Sequence, residues 1–199
     1  MSNIASTAII HPNVILGENV TVEDFCIIGL PFVGEKGEKT IIGDGAVIRA
    51  GTYIYAGNQI GNNFKTGNKA NIRELNTIGD DVSIGTLSVI EHHVTIKNRV
   101  RIHTQVFVPE YTVLEDDCWL GPNVVVTNAR YPKNSLSKDN LQGVRVRNSA
   151  KIGANVTLLP GIVIGKNSLI GAGSVVVKDI ANGVVVAGNP TKILREMDY

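Results

Sequence analysis

An aliphatic side chain returns at every sixth position along most of this 199-residue chain. From Ile42 the series runs through Ile48, Ile54, Ile60, Thr66, Ile72, Ile78, Ile84, Ile90, Ile96, Ile102, Val108, Leu114, Leu120 and Val126, and only Thr66 departs from the aliphatic type. The same beat precedes this run, from Ile4 to Ile28, and follows it, from Val146 to Val176. A period of six fits neither a 3.6-residue helix nor an alternating strand; it is a signature of a parallel β-helix, each six residues making one short strand and one turn. Three sides close a triangular coil of about 18 residues, and coils stack about 4.8 Å apart through parallel backbone hydrogen bonds. The expectation is an all-β solenoid of roughly nine coils, a single domain over residues 1–199.

Two residues before each anchor the side chain is usually small and also points inward, as at Ala46, Thr52, Ala70, Ser88 and Val106. At one hexad the sizes are exchanged, Phe64 in the small slot and Thr66 in the large one, which roughly keeps the local core volume. Cys26 and Cys118 occupy the small slot and read as core filler, not as a disulfide or a nucleophile. Gly, Asn and Asp cluster just after the anchors, as in Gly43-Asp44 and Gly61-Asn62, which suits corners needing positive φ. A net charge of +1 with no basic run argues against a nucleic-acid surface. No apolar run approaches the ~20 residues of a membrane span, and no basic segment leads an apolar one at the N-terminus, so a cytoplasmic protein without membrane insertion is expected.

The beat is interrupted twice. Ile28 to Ile42 is a step of 14, read as two hexads plus two residues with an exposed loop at about 30–39. Val126 to Ile152 is a step of 26, read as one coil plus an insertion of eight in the polar stretch 127–143. Such loops are more often functional than accidental. After Val176 the pattern ends, and Pro190 followed by helix formers predicts a short helix in a C-terminal cap at about 188–199, covering the open end of the stack.

Residues one coil apart stack. Glu74, His92, Glu110 and Asn128 fall at one corner, followed by Ala154 and Ala172 once eight residues are removed. His92 between two carboxylates suits a general base whose tautomer the acids fix, and the small residues leave a groove for an extended ligand. His103 lies on a different corner, with Gly85 and Gly121 one coil away on either side, leaving room for a substrate or a second subunit; it is a further catalytic candidate. His93 is expected to point away at its turn, and adjacent His92 and His93 are poorly placed to ligate one ion with His103, so no metal is expected.

The hexad of aliphatic, Gly, two variable, small and variable residues resembles the hexapeptide-repeat acyltransferase superfamily, which implies a left-handed parallel β-helix. Residues 170–179 and 188–192 look like the paired C-terminal signature of its acetyl-CoA-dependent members. That likeness implies acetyl-CoA as cosubstrate, bound at Ala172, Gly173 and Lys178, with pantetheine along the small residues beside Ala154 and with Asn189, Pro190 and Lys192 near the adenosine end. Arg195 is added for its charge alone. Residues 114–128 are similar to a segment of N-acetyltransferases acting on nucleotide-linked amino sugars, whose closing Asn lies in the active site; this maps onto Asn128. Residues 42–49 and 67–74 are similar to the same group, although position 68, where many relatives carry a His, is Asn here. The resemblance further implies a homotrimer with sites between subunits, walled by the loop at 128–140. Two alternatives stand beside it: an O-acetyltransferase for a sugar or serine hydroxyl, and a non-catalytic β-helix scaffold.

Overall fold

Every anchor from Ile42 to Val126 is buried, and the backbone between anchors pairs in parallel register across successive coils. Ile72, for example, pairs with Ile54 on one side and Ile90 on the other, each exactly three hexads away. The computed structural model describes residues 2–133 and 138–198. Its strands form three parallel stacks. The first face carries strands such as Ser83–Ile84, Arg101–Ile102 and Trp119–Leu120. The second carries Asn71–Ile72, Val89–Ile90, Phe107–Val108 and Val125–Val126. The third carries Thr77–Ile78, Thr95–Ile96 and Val113–Leu114. We name the corners in chain order: the first corner joins the first and second faces, the second corner the second and third, and the third corner returns to the first. This is the expected all-β parallel solenoid, consistent with a left-handed coil.

Backbone pairing corrects the reading of both interruptions. Ile28 pairs with Ile54, a lap that exceeds three hexads by eight, so the first loop inserts eight, not two. Val126 pairs with Leu158, a lap that exceeds three hexads by fourteen, so the second loop inserts fourteen, not eight. Both excursions leave the second corner, because the strands before them lie on the second face and those after them on the third. Of the second loop, residues 134–137 lie outside the described residues; Lys138–Asn140 forms a 3₁₀ turn.

The column also extends past Val176, where the sequence pattern stops. Ile170 pairs with Val186 in a last lap that falls two short of three hexads, and Ile164 bridges Ile180. Among the described residues the first face thus holds eleven strands, the last antiparallel, which makes ten parallel rungs against the roughly nine expected.

The expected C-terminal helix is a strand: Lys192–Glu196 pairs antiparallel with Val184–Ala187. A helix would satisfy its own backbone but leave the open edge of Val184–Ala187 unpaired, and that edge wins over local propensity. The capping role falls to a hairpin, with Ile193 and Leu194 exposed on it.

The glycines directly after the anchors have another cause than positive φ, which belongs instead to corner glycines such as Gly45 and Gly51. The left-handed conformation falls on the third residue after each anchor, at Asn63, Asp81, His93, Tyr111 and others. Gly61, directly after its anchor, is needed because a Cβ there would collide with Asp80 Oδ1 on the next coil, the oxygen that accepts the Asn62 N–H at 2.7 Å. Coil-to-coil closeness, not backbone twist, selects that glycine.

Phe64 and Thr66 are both buried, and the Thr66 hydroxyl accepts the Arg49 N–H at 2.9 Å while lying 3.2 Å from the Thr52 hydroxyl. Cys26 and Cys118 are free and buried, and burial pushes the Cys118 thiol up to about 12. We predict that Thr66→Ile costs about 1–3 kcal/mol by overpacking against Phe64 and orphaning the Arg49 N–H. Adding Phe64→Val should recover part of that loss. A urea-denaturation double-mutant cycle checks this, and strict additivity would show that the two side chains do not share volume.

Candidate functional site

The second corner is organised from inside by two asparagines in slots that elsewhere at this corner hold Thr, Val or Ile. Asn58 Nδ2 donates to the Tyr55 and Arg73 carbonyls at 2.7 and 2.8 Å, and Asn76 Nδ2 donates to the same Arg73 carbonyl at 2.8 Å. Their oxygens accept the N–H groups of Asn76 and Val94 one coil on. Both are buried and bonded through nitrogen and oxygen alike, so the backbone carrying Arg73 and Glu74 is fixed.

On that frame Arg73 lies over the Tyr55 ring, 5.1 Å from its centroid, and grips Glu74 through Nε and Nη2 at 2.8 and 2.9 Å. A third nitrogen reaches Glu91 at 3.4 Å. Burial alone would raise the Glu74 carboxyl, but the Arg73 hydrogen bond and charge outweigh it and leave the group below the usual range. Glu91 shares the cation less closely, and burial pushes its carboxyl up. Glu74 is therefore committed to Arg73, in addition to standing one coil from His92.

His92 Nε2 lies 3.6 Å from Glu110 Oε1. Its Nδ1 lies 2.8 Å from Nδ1 of His93, which does not point away as expected; the His93 ring also packs 5.9 Å from that of Tyr111. One of the two facing nitrogens must carry the proton that joins them. Asn128, nearly buried, donates through Nδ2 to Glu110 Oε2 at 2.7 Å and to the Glu110 carbonyl at 3.3 Å. The four polar residues of the column thus do share one corner, the one from which both loops depart.

Ala154 and Ala172 do not continue this column. Ile152 pairs with Leu120 and Ile170 on the first face, so these alanines stack above Thr104 and Pro122 at the first corner, across the second face from His92. The misplacement follows from the insertion being fourteen, not eight. What continues above Asn128 is Pro160 and then Lys178. Lys178 is accordingly separated from the other cofactor candidates. Gly173 sits by Ala172 with φ +70 and open space where a Cβ would lie. Asn189 and Pro190, joined by a cis peptide, and Lys192 follow at the hairpin, while Arg195 is held at 2.7 Å by Asp198.

His103 is on this first corner as well. Its ring packs 4.8 Å from the Trp119 ring, and Arg101 Nε donates to its Nε2 at 3.2 Å. Burial and then the Arg101 charge push the imidazole below its ordinary range. Because the Arg101 N–H can only donate, Nε2 accepts and the proton of this imidazole sits on Nδ1. The corner opens onto a groove of about 460 Å³ whose lining includes Arg49, Lys65, Ser83, Arg101 and His103.

Arg73, Glu91, Tyr55 and the two asparagines escaped the sequence reading. An Asn in an inward slot at Asn58, and again three hexads later at Asn76, was the available signal.

With this geometry in place, similarity to known proteins can be read. Residues 143–178 match the family described as bacterial transferase hexapeptide (six repeats), and residues 14–56 match the hexapeptide repeat of succinyl-transferase. Two separate segments of the chain thus match models of hexapeptide-repeat transferases. It is 38% identical over 96 residues to galactoside O-acetyltransferase of Escherichia coli, a match covering 46% of this chain and 47% of that one. It is 51% identical over 53 residues to 2,3,4,5-tetrahydropyridine-2,6-dicarboxylate N-acetyltransferase of Clostridium perfringens, covering 27% of this chain and 22% of that one. The chain thus spans about half or less of the length of these curated relatives. The solved UDP-N-acetylglucosamine acyltransferase of Francisella novicida shares the fold, with a TM-score of 0.68 at 18% identity over 96% of this chain and 69% of that one.

The His103 environment gives a direct test. Its NMR titration midpoint should lie below 6.5, and Arg101→Gln should raise it without restoring the ordinary value, since burial is the larger cause. A midpoint at or above 6.5 in the unsubstituted protein would contradict the geometry.

Proposed function

We propose that this chain is an acetyl-CoA-dependent N-acetyltransferase acting on an amino sugar, nucleotide-linked, and that it works as a cytoplasmic homotrimer. The observation that carries the reading is the first corner above Thr104: Pro122, Ala154 and Ala172 stack there beside Gly121, Gly153 and Gly171. No long side chain projects from either run. An extended pantetheine arm can lie along such a corner and meet backbone groups, with Gly173 open beside it. Asn189, Pro190 and Lys192 then lie toward the nucleotide end.

In this reading acetyl-CoA supplies the acyl group as a thioester. The neutral amine attacks its carbonyl carbon, a C–N bond forms and the C–S bond breaks; the amine proton leaves and the CoA thiolate is protonated. A backbone N–H meets the developing oxyanion. His92, with Glu110 beside it, accepts the proton, and Asn128 aligns the amine. Because an amine of near-neutral pKa needs little activation, alignment contributes more than proton removal.

The two halves of this site sit on opposite edges of the second face, and the trimer reconciles them. That face presents Tyr53, Phe107 and Val125 to solvent, with Val89, Val175, Asn71 and Thr157 in the same outward row, while the first face mixes Lys65, Ser83, Arg101 and Lys151 with Val47, Trp119 and Leu169. A cyclic trimer makes heterologous contacts, so the first corner of one subunit can meet the second corner of the next across buried apolar residues.

Acetyl-CoA consumption against a panel of nucleotide-linked amino sugars tests the activity. We expect His92→Ala to lower kcat by about tenfold, below the ~10²–10⁴ of a typical general base. Asn128→Ala should lower it by about 10² or more. The similarity to a galactoside O-acetyltransferase favours a second reading, transfer to a hydroxyl. That reading requires turnover of hydroxyl acceptors and loss of at least ~10² with His92→Ala or His103→Ala, since an alcohol needs a stronger base. Stabilisation by CoA separates both from a scaffold: a ligand at 100 times its Kd adds about 2.7 kcal/mol. Phe107→Glu on the second face should dissociate the trimer, read by light scattering, and abolish turnover; a monomer that stays active would overturn the shared site.

A further inference from the structure

Asn128 has both of its amide hydrogens directed at one residue. Nδ2 is 2.7 Å from a Glu110 carboxylate oxygen and 3.3 Å from the Glu110 carbonyl. An ionised carboxylate and a carbonyl are acceptors only, so the amide must face them with its nitrogen; the reverse orientation would set oxygen against oxygen at both contacts. The polar atom left to meet a ligand is Oδ1, an acceptor. Glu110 has a second task, since its other carboxylate oxygen stands 3.6 Å from His92 Nε2. One carboxylate therefore holds Asn128 by a hydrogen bond and stands beside His92.

We propose that Glu110 is a positioning residue that turns Asn128 into a hydrogen-bond acceptor for the nucleophile's N–H, and so excludes Asn128 from any role as a donor to the oxyanion. The proposal rests on the acetyl-transfer reading for its kinetic consequence, but not for its geometry. An acceptor aimed at the nucleophile holds a primary amine by one N–H and points its lone pair along a single direction. It also disfavours a group with no hydrogen to give. The oxyanion is left to backbone N–H groups.

Two measurements test it. The first needs no turnover: in wild-type protein the Asn128 side-chain amide protons should exchange slowly with solvent and be separated by the nearby charge, and Glu110→Ala should speed their exchange at least about tenfold. Equal exchange in both proteins overturns the positioning. The second is a swap. In Asn128→Asp two carboxylates face each other without a donor, and kcat should fall at least about tenfold with little change in KM. Adding Glu110→Gln supplies an amide donor to the new carboxylate, leaves an acceptor oxygen toward the ligand, and should bring kcat back to within a few-fold of wild type.

A donor role for Asn128 predicts that the double variant stays as slow as Asn128→Asp, since neither carries a donor toward the ligand; that result, with both variants melting as wild type does, overturns the acceptor assignment. Full activity in Asn128→Asp alone overturns it as well. Wild-type protein that turns over no amine at all rejects the acetyl-transfer reading instead, and the exchange measurement still decides the geometry.

Discussion

Everything in this molecule depends on one repeated contact: the backbone of each coil hydrogen-bonded in parallel to the coil above it. That contact sets the lap at three hexads in the regular part of the column and brings side chains remote in sequence to neighbouring rungs. It also makes the corners crowded enough to require glycine, as at Gly61, and leaves so little freedom that an Asx side chain such as Asp80 can satisfy the N–H of its neighbour below. The site is a product of this stacking. Glu74, His92, Glu110 and Asn128 share a corner only because the strands ending at Ile72, Ile90, Val108 and Val126 pair in turn.

The hexad made the fold legible because inward-facing aliphatics obey a strict spacing. It left the faces unlabelled for the same reason. Anchors on all three faces are chemically interchangeable, so a step of 14 between Ile28 and Ile42 is equally two hexads plus two or one hexad plus eight, and only pairing of Ile28 with Ile54 decides. That ambiguity, repeated after Val126, carried Ala154 and Ala172 to the wrong corner. The C-terminal segment failed differently: residues 192–196 have adequate helical propensity, but the demand that fixes them is the open edge of Val184–Ala187, a long-range term that no local pattern contains.

The polar column was legible as a column, while its wiring was not. Spacing puts Glu74 one coil from His92, yet Arg73 holds that carboxylate, and Arg73 is held in turn by asparagines packed inside the prism. Which of two carboxylates serves the histidine is a matter of side-chain direction, and direction follows from neighbours on adjacent coils. Correcting the corner of Ala154 and Ala172 has a larger consequence. A single chain keeps the small side chains at Ala154 and Ala172 and the His92–Asn128 group on opposite edges of the second face, and subunit association becomes a requirement of the proposed chemistry.

Mixing subunits tests that claim most directly. Asn128→Ala removes the second-corner group, and Ala172→Trp blocks the first-corner groove at an exposed position. Each variant alone should keep no more than about a hundredth of wild-type activity. Dissociated together and reassembled in equal amounts, they should regain up to about a quarter of wild-type activity, because about one interface in four then joins two intact halves. If the mixture stays as inactive as its parents while forming mixed trimers, the site lies within one chain and the account fails.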